Sequence, residues 1–339
     1  MGIDLSDIVQ AAPCALKDFK GRAIAIDGYN ALYQFLSSIR QADGTPLMDS
    51  RGRITSHLSG TFQRTANLLE QGIRPVYVFD GAPNPMKAQT LRERRQRKEK
   101  AQAEWDEALE AGDMETARVK AQQTSRLTKD MAQQAKDLLD YMGVPWVDAP
   151  QDGEAQASYM AGKGDVYAAA SQDYDSLLFG APILVRNMTL SGRRKMPRRN
   201  VYVDVVPELL RLGDVLSSLG ITREQLVDLG VIMGTDFNDG VKGIGPKKGL
   251  KLIKEYGSGE AAIKEKKLDV PAFHNVRKIF LEPKVTDEYK LEWKAMDREK
   301  VEKLLCDDFE FSSQRLQSTL DKISEGQKAR AQKSLDSWF

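Results

Sequence analysis

Short runs of apolar residues recur along the chain, and five of them stop at an acidic residue or just before one. Four of these runs lead to Asp27, Asp80, Asp173 and Asp236, and the fifth precedes residues 152–154. A buried parallel strand is typically a continuous apolar run, and ligands of such sheets bind beyond the carboxyl ends of the strands. The pattern therefore predicts a parallel sheet with acidic side chains gathered at one edge.

Helical patterns separate the apolar runs, so strands and helices alternate. This alternation is typical of an α/β fold with a doubly wound, mostly parallel sheet and helices on both faces. Helices are predicted over residues 29–40 and 56–71. The predicted strands cover residues 24–27, 76–80, 144–147, 166–170 and 183–186, with a further candidate at 201–204.

The segment from residue 82 to residue 140 has a different pattern. Pro83 and Pro85 interrupt the chain, and two strongly polar helical stretches follow, separated near residue 112. Few apolar residues lie at helical spacing before Met131, so these helices can bury little surface and are expected to be mobile. A plain, solvated helical hairpin is the alternative, because charge runs usually mark exposed faces.

A helix, a glycine-rich turn and a second helix are predicted over residues 222–257. Gly243 and Gly245 in the turn allow close backbone approach, and the amides that follow Pro246 point outward at an anion. The pattern is typical of a helix-hairpin-helix that binds duplex phosphates without reading sequence. A simple glycine-rich connection between helices is the alternative. The lysines around the turn are Lys242, Lys247, Lys248 and Lys251.

Composition and charge narrow the class of protein. The chain has 339 residues, enough for one large α/β domain or two smaller ones. The net charge of +1 alone predicts no partner, but seven basic residues lie between Lys87 and Lys100, and five lie within residues 191–200. Basic clusters opposite an acidic site indicate a polyanionic substrate.

The rare residues argue against other kinds of site. Cys14 and Cys306 lack the spacing of a zinc site or a disulfide scaffold, which indicates a reducing compartment inside the cell. His57 and His274, the only histidines, are interpreted as structural or surface residues rather than catalytic bases. No signal peptide or long apolar segment occurs, so we expect an intracellular, soluble protein without a membrane partner.

The clustered acids are typical of a magnesium site. Carboxylates at one sheet edge would repel one another unless hard divalent cations neutralised them. Two such ions about 4 Å apart can activate water and stabilise the leaving oxygen of a phosphodiester. An aspartate after a strand also often caps the next helix, but a cap does not require the paired acids seen here. The seven acids are Asp27, Asp80, Asp152, Glu154, Asp173, Asp175 and Asp236.

These residues lie in segments that resemble, in family order, the motifs of the flap endonucleases, the structure-specific 5′ nucleases of the XPG type. The chain stops after the last segment, as in archaeal members. The resemblance implies a PIN/5′-nuclease-like fold. It also implies a Mg²⁺-dependent endonuclease that cuts 5′ flaps of branched DNA, with 5′–3′ exonuclease activity, in Okazaki fragment maturation and DNA repair. The segments are IAID (24–27), YVFDG (77–81), DAPQDGEAQAS (148–158), AAASQDYDSLLFG (168–180), MGTDFNDGVKGIGPKKG (233–249) and QKSLDSWF (332–339).

The resemblance also implies a domain layout, and nothing in the sequence suggests more than a monomer. A helical arch is expected above the active site, where a free single strand passes through or under it. The expected parts are a nuclease core (1–258) with an N-terminal part (1–98), an arch (about 82–135) and an intermediate part (about 116–258), then a C-terminal region (259–325) and a clamp-binding tail (326–339).

Individual roles follow from the same resemblance. The seven acids would hold two Mg²⁺ ions, for which Mn²⁺ can substitute, although the family usually has Glu where this chain has Asp152. Lys87 and Arg94, seven residues apart, would offset charge on the scissile phosphate, with ordinary surface cations as the alternative. Tyr33 would stack on a nucleobase, with a buried core tyrosine as the alternative.

Further DNA contacts rest on the resemblance and the glycine turn. The resemblance implies a K⁺ ion between this turn and phosphate, although nothing in the residues requires one. The residues expected at DNA are Gly2, Tyr33, Arg40, Arg64, Gly234, Gly243, Gly245, Lys247 and Lys248.

The final eight residues have the spacing Q-x-x-L-x-x-W-F, beginning at Gln332. One helical turn would place Leu335, Trp338 and Phe339 on one side, and aromatic residues that end a polar tail usually bind a partner. The pattern resembles the box that binds the sliding clamp PCNA. A tail folded back onto its own domain is the alternative.

Two other functions compete with the nuclease. Asp80 at a strand end suggests a phosphatase of the haloacid dehalogenase type, but that class needs a second acid where this chain has Ala82. A non-catalytic DNA- and clamp-binding module is the second alternative. The number of acids argues against it, because carboxylates without metal would weaken DNA binding.

Overall fold

A computed structural model describes residues 2–41, 43–189, 193–195 and 202–323. Its strands are β1 (Ala12–Pro13), β2 (Ala23–Asp27), β3 (Arg74–Phe79), β4 (Trp146–Asp148), β5 (Ala168–Ala170), β6 (Ile183–Arg186), β7 (Arg193–Lys195), β8 (Tyr202–Asp204) and β9 (Glu208–Arg211). Its helices are α1 (Gly28–Ser38), α2 (Ser56–Glu70), α3 (Ala88–Glu110), α4 (Met114–Gln123), α5 (Lys129–Tyr141), α6 (Gly153–Lys163), α7 (Asp175–Leu178), α8 (Leu212–Leu219), α9 (Arg223–Met233), α10 (Pro246–Tyr256), α11 (Gly259–Lys266), α12 (Phe273–Leu281) and α13 (Arg298–Glu302). Short 3₁₀ turns cover Leu16–Phe19 and Pro85–Lys87, a π-helical turn covers Lys303–Asp308, and residues 313–323 are helical.

The main sheet has seven strands in the order β1-β9-β6-β5-β2-β3-β4. The five strands from β6 to β4 run parallel, whereas β9 and β1 join antiparallel at one edge. The chain proceeds outward from β2 to β3 and β4 and then returns to place β5 on the other side of β2. The topological switch point, where open α/β sheets bind ligands, therefore lies between β2 and β5.

Both faces of the sheet are covered, which explains why its strands are continuously apolar. In β2, Ile24 and Ile26 pack into one hydrophobic cluster and Ala25 packs into another on the opposite face. The first cluster contains residues of α1, α2 and α5, and the second contains residues of α6. The predicted fold class, a mostly parallel sheet with helices on both faces, is confirmed.

A third hydrophobic cluster joins α9, α10 and α12 to the N-terminal residues Ile3 and Leu5. The predicted helix-hairpin-helix is confirmed. Thr222 and Gln225 form a reciprocal capping box at the start of α9, and Gly257 ends α10 in a left-handed conformation. This cluster places the turn after α9 beside the carboxyl ends of the main strands.

The polar segment forms a hairpin of α3 and α4, separated at Gly112 as predicted. Its buried side chains are small: Ala101 and Ala108 in α3, and Ala117 and Ala121 in α4. The structure therefore confirms that this hairpin buries little apolar surface, and its mobility stays a prediction. No helix in the described ranges is both long and apolar enough to span a bilayer.

The apolar run that leads to Asp236 is the end of α9, in agreement with the helix predicted from residue 222, and it adds no strand to the sheet. The structure corrects two details of the predicted strands. The candidate strand at 201–204 is β8, which pairs with β7 in a separate two-stranded sheet. The antiparallel strand β9 was not predicted, since its four residues carry two charges and its neighbours give no clear alternation.

Candidate active site

Six of the seven acids lie at the carboxyl edge of the parallel strands. Asp27 ends β2, Asp80 follows β3, and Asp173 and Asp175 follow β5. Asp152 and Glu154 lie at the start of α6, in the connection after β4. The seventh acid, Asp236, comes from the turn after α9. The structure thus brings all seven predicted ligands to the switch point of the sheet.

Backbone hydrogen bonds fix several of these carboxylates. Asp27 Oδ1 accepts from the amide of Asn30 at 2.9 Å and so caps α1. The capping alternative is therefore correct for Asp27, although it does not exclude a second role. Asp80 Oδ1 accepts from the amide of Gly153 at 2.6 Å, which joins the end of β3 to the start of α6.

Side-chain hydrogen bonds link acids of neighbouring elements. The hydroxyl of Ser171 donates to Glu154 Oε1 at 2.5 Å and accepts from the amide of Asp173 at 3.3 Å. The amide side chain of Asn30 lies 3.4 Å from Asp173 Oδ2. Sequence reasoning did not identify Ser171 or Asn30 as supporting residues. The sequence could have indicated both residues by their position, since each lies two or three residues from a predicted ligand.

Gly2 lies directly against the acid cluster. A Cβ atom at this position would lie 2.5 Å from Asp175 Oδ1, so any side chain would collide with the carboxylate. The next amide, that of Ile3, donates to the same oxygen at 2.8 Å. The structure therefore places Gly2 at the candidate active site, where the resemblance predicts it, and gives a steric reason for glycine.

Burial and mutual repulsion disfavour the charged forms of several of these acids. Burial raises the pKa of Asp27 and Glu154 well above the usual values, and neighbouring acids add to the effect. Burial and the charge of Asp173 raise the pKa of Asp175 to about 7. The cluster therefore holds more negative charge than its surroundings compensate, which is the electrostatic condition of a cation site.

Lys87 and Arg94 supply positive charges beside the acids. Lys87 forms an ion pair with Asp152, and Arg94 forms one with Asp236 at 2.5 Å. Burial alone would lower the pKa of Lys87, but Asp152 outweighs it and the pKa rises. Burial would likewise raise the pKa of Asp236, but Arg94 and other nearby charges lower it. Both cations face the acids as predicted, so the surface alternative is wrong for this pair.

The donor set fits hard divalent cations. Carboxylate oxygens are the ligands that Mg²⁺ takes, and Mg²⁺ keeps several waters, so it needs few direct protein ligands. Within the described part of the chain, no three acidic, histidine or cysteine side chains already surround a single point. Sites with one or two direct carboxylates and further acids acting through water are consistent with this arrangement.

The base of α3 is bonded to the turn that carries Asp236. Thr90 donates its hydroxyl to the backbone oxygen of Asp236 at 2.9 Å, and Gln89 donates to Asp239 Oδ2 at 2.9 Å. Gly234 starts this turn at φ +102°, and a Cβ there would lie 2.7 Å from the oxygen of Asp239. Gly234 thus shapes the turn that holds an acid of the cluster, and its predicted contact with DNA stays a prediction.

Tyr33 is partly exposed beside the hairpin. Its side chain is 39% exposed, and Lys98 Nζ lies 4.5 Å from the ring centroid. The alternative of a buried core tyrosine is therefore wrong, and the ring has a face that a base could reach. Stacking itself stays a prediction.

The two predicted DNA-contacting arginines have internal partners. The Arg40 guanidinium donates to the backbone oxygens of Leu36 and Gly44 and to the Ser125 hydroxyl. Arg64 lies partly buried in α2, and its positive charge stabilises the ionised form of Tyr77. These contacts give Arg40 a structural role, and DNA contacts of both arginines stay predictions.

The helix-hairpin-helix turn presents its backbone openly. A Cβ at Gly243 or Gly245 would meet no other atom within 4 Å, so the backbone at both positions is open to an approaching phosphate. Lys247 and Lys248 are exposed, and Lys248 Nζ donates to the oxygen of Gly243 at 3.1 Å. An open groove of about 520 Å³ runs along the same helix, lined by Lys247, Leu250, Lys251, Lys254 and Glu255.

The two histidines are a structural and a surface residue, as interpreted from the sequence. His57 is fully buried, and its ring nitrogen Nε2 lies 2.8 Å from Gln134 Oε1. Burial lowers the pKa of His57 to about 4, so it is neutral at physiological pH. His274 is exposed on α12, and Cys14 and Cys306 are free thiols. The clamp-binding residues Gln332, Leu335, Trp338 and Phe339 lie outside the described residues.

Asp152→Glu is expected to be tolerated. Asp152 is the one acid of the cluster at which the family that this chain resembles usually has Glu. The longer glutamate side chain would reach the same ion pair with Lys87. We expect cleavage at saturating Mg²⁺ to stay within about threefold of wild type, less than the tenfold that 1.4 kcal/mol of barrier represents. Single-turnover rates measure this. A folded variant without turnover would show that the shorter acid is required.

Comparisons with known families agree with this geometry. The XPG N-terminal domain matches residues 1–101, and the XPG I-region matches residues 143–236. Flap endonuclease 1 of Pyrococcus abyssi is 51% identical over 340 residues, which cover all of this chain and 98% of that protein. Flap endonuclease 1 of Archaeoglobus fulgidus is 49% identical over 339 residues and covers both chains fully.

Two solved structures are similar to the structure of this chain. Flap endonuclease-1 from Methanococcus jannaschii has a TM-score of 0.78 and 43% identity, covering 97% of this chain and all of that one. The catalytic core of Rad2 in complex with DNA substrate has a TM-score of 0.67, covering 92% of this chain and 96% of that one. At 23% identity, the Rad2 likeness supports the fold alone.

Proposed function

Since this chain belongs to the flap endonuclease family and is a structure-specific 5′ nuclease of replication and repair, we propose that its seven clustered carboxylates hold two Mg²⁺ ions for phosphodiester hydrolysis. The observation that carries the proposal is the set of acids at the switch point between β2 and β5, of which Asp27, Glu154 and Asp175 have raised pKa values that call for added positive charge. Mn²⁺, another hard cation that accepts carboxylate ligands, would substitute.

Metal ions bound here would supply activation of the attacking water and neutralisation of the leaving oxygen. Lys87 and Arg94 have a different part. Their ammonium and guanidinium groups now pair with Asp152 and Asp236, and they can exchange these carboxylates for the oxygens of the scissile phosphate. Positioned cations of this kind stabilise charge that grows in the transition state. No histidine is required as a base, in agreement with the burial of His57.

DNA would lie across three surfaces. The open backbone at Gly243 and Gly245, with Lys247 and Lys248, would hold the phosphates of the duplex. A K⁺ ion is proposed between this turn and phosphate. The exposed ring of Tyr33 would stack on a base, and the hairpin of α3 and α4 would admit a free 5′ end. Phosphate contacts of this kind weaken steeply as salt rises.

A direct experiment compares a double-flap duplex with an unpaired strand of the same sequence, each with Mg²⁺ and with a chelator. We expect the double-flap duplex to be cut and the unpaired strand to remain intact. We also expect the duplex to be cut with Mg²⁺ and not with the chelator. Nicked and gapped duplexes in the same assay test the proposed 5′–3′ exonuclease activity. Cleavage in the chelator would contradict the metal proposal, and equal cutting of the unpaired strand would contradict selection by the arch.

Deletion of residues 332–339 is expected to remove stimulation by the sliding clamp and nothing else. We propose that the protein is an intracellular monomer and that Gln332, Leu335, Trp338 and Phe339 dock on PCNA. Basal flap cleavage should stay within about twofold, because the last few residues of a domain usually contribute little to its fold. Cleavage rates with and without clamp measure both effects. An equal loss of basal activity would show that the tail serves the nuclease core instead.

A further inference from the structure

Residues 283–297, here called the strap, have neither helix nor strand but are firmly bonded to the nuclease core. A compact domain seldom contains so long a segment without secondary structure unless the segment serves a function. In the strap, Tyr289, Leu291 and Trp293 pack against the cluster that contains Ala25 of β2. The indole of Trp293 donates to the backbone oxygen of Pro75 at 2.8 Å. The strap thus shares with α6 the covering of one face of the sheet.

The strap meets the first turn of α6 through one fully buried side chain. Gln156 Nε2 donates to the backbone oxygen of Thr286 at 2.9 Å, and the amide of Thr286 donates to Gln156 Oε1 at 2.8 Å. Both ends of the side-chain amide are therefore used, which fixes the orientation of Gln156. Its exposure is 0%. We call this pair of hydrogen bonds the clasp.

A second attachment lies further along α6, on the solvent side. Tyr159 donates its hydroxyl to Asp287 at 3.0 Å, and Lys163 Nζ lies 2.7 Å from the same carboxylate. The Tyr289 hydroxyl donates to Asp165. These exposed contacts hold the far end of α6 and lie away from the acids, so they provide a natural comparison for the clasp.

The clasp lies where it can control the acids of α6. Gln156 is two residues after Glu154 and four after Asp152, so all three share the first turn. A rotation or slide of this turn would move both acids relative to Asp80 and Asp173. The remaining bonds of Glu154, to Ser171 and through its backbone oxygen to Ser158, do not join α6 to the strap.

We propose that Gln156 is a positioning residue for the metal site, which it serves by fixing the first turn of α6 to the strap. The inference rests on the proposed metal ligation by Asp152 and Glu154. It gives the segment after residue 282 a role in the reaction, although no residue of the strap belongs to the acid cluster. A purely structural role would only satisfy two buried backbone groups.

Gln156→Met separates the two roles, because methionine keeps the volume and loses both hydrogen bonds. Mn²⁺ binding is measured without DNA from the electron paramagnetic resonance signal of the free ion. We expect binding about tenfold weaker, at the lower end of the roughly 10- to 100-fold cost of losing outer-shell partners of a metal site. The Mg²⁺ concentration for half-maximal cleavage should rise by a similar factor. The rate at saturating Mg²⁺ should stay within about twofold, well under the tenfold that 1.4 kcal/mol represents.

Tyr159→Phe is the matched control, since it removes a bond to the strap at the far end of α6. It should lower thermal stability slightly and leave Mn²⁺ affinity unchanged. If Gln156→Met lowers stability but binds Mn²⁺ as tightly as Tyr159→Phe does, the inference is overturned. If Gln156→Met does not fold, Thr286→Pro tests the clasp instead, because proline lacks the amide that donates to Gln156.

Glu154→Gln distinguishes failure of the inference from failure of the proposed function. Wild type should bind Mn²⁺, and Glu154→Gln should bind it more weakly. If Glu154→Gln binds as wild type does, the proposed ligand set is wrong. If it binds more weakly and Gln156→Met does not, the ligand set stands and the positioning role of Gln156 is rejected.

Discussion

Asp175→Asn is expected to lower the single-turnover rate of flap cleavage by at least about a thousandfold, while binding of the flapped duplex stays within about twofold. A loss of about 4 kcal/mol corresponds to this factor, and it is within the several kcal/mol that metal ions contribute to such transition states. Asparagine keeps an oxygen that can accept from the amide of Ile3, so the fold around Gly2 is retained. Quenched-flow cleavage and fluorescence anisotropy in Ca²⁺ measure the two quantities.

The control is Asp140→Asn, an acid of α5 outside the cluster, whose Oδ1 accepts from the indole of Trp146 at 2.9 Å. It should cleave at nearly the wild-type rate. Retained cleavage by Asp175→Asn in Mg²⁺ would reject the assignment of Asp175 as a ligand. Loss of DNA binding together with cleavage would instead indicate that the substitution disturbs the substrate surface.

Asp175→Asn is also expected to be more stable than wild type in a chelator at pH 8. The pKa of Asp175 is about 7 in the folded protein, against an ordinary 3.8, so its contribution to stability is present below pH 3.8 and is lost as the pH rises through 7. As the pH rises from 5.5 to 8, the melting temperature should therefore fall less for Asp175→Asn than for wild type. At pH 8 the variant should melt about 2 °C or more above wild type. His57 titrates in the opposite sense, but it does so in both proteins. An equal loss in both proteins would show that Asp175 is not a destabilising buried charge.

Lys87→Met is expected to have opposite effects on cleavage and on metal affinity. Lys87 pairs with Asp152, so its removal frees a carboxylate and deepens the negative potential of the site. Mn²⁺ should bind about threefold to tenfold more tightly, since each tenfold is 1.4 kcal/mol. Cleavage should fall by about a hundredfold or more, the usual cost of removing one group that stabilises transition-state charge. Titration with Mn²⁺ measures the metal affinity, and single-turnover cleavage at saturating Mg²⁺ measures the rate.

Arg97→Met is the control for Lys87→Met. Arg97 lies on the same polar segment, pairs with Glu93 at 3.3 Å, and has a 74% exposed side chain. It should change neither quantity by more than about twofold, since exposed ion pairs contribute little. Weaker metal binding by Lys87→Met would mean that the lysine supports the ligands rather than competing for them.

The acid cluster could be predicted from the sequence because its signal is local and repeated. Each acid of the sheet edge follows an apolar run, and parallel strands bring such ends together whatever the details of packing. The two pairs of acids, Asp152 with Glu154 and Asp173 with Asp175, strengthened the prediction. Asp236 was also identified, although the apolar run before it lies in the predicted helix and not in a strand.

The supports of the cluster were not predicted, because their partners are distant in the sequence. Gln156 bonds to a residue 130 positions away, and Trp293 bonds to one 218 positions away. The strap did carry a local signal, since Tyr289, Leu291 and Trp293 alternate with charged residues as in an extended segment. Nothing in that alternation, however, indicates which surface the segment covers.

The turn that carries Asp236 is bonded to the base of α3 and lies between α9 and α10. The same few residues receive Arg94, Gln89 and Thr90 from α3 and lead directly into the hairpin proposed to bind duplex. If that proposal holds, we expect capture of the double-stranded part and passage of the loose end to be mechanically coupled rather than independent. An incorrect junction that shifts this turn would misalign the arch before any bond is cut, and fidelity would then be decided at docking.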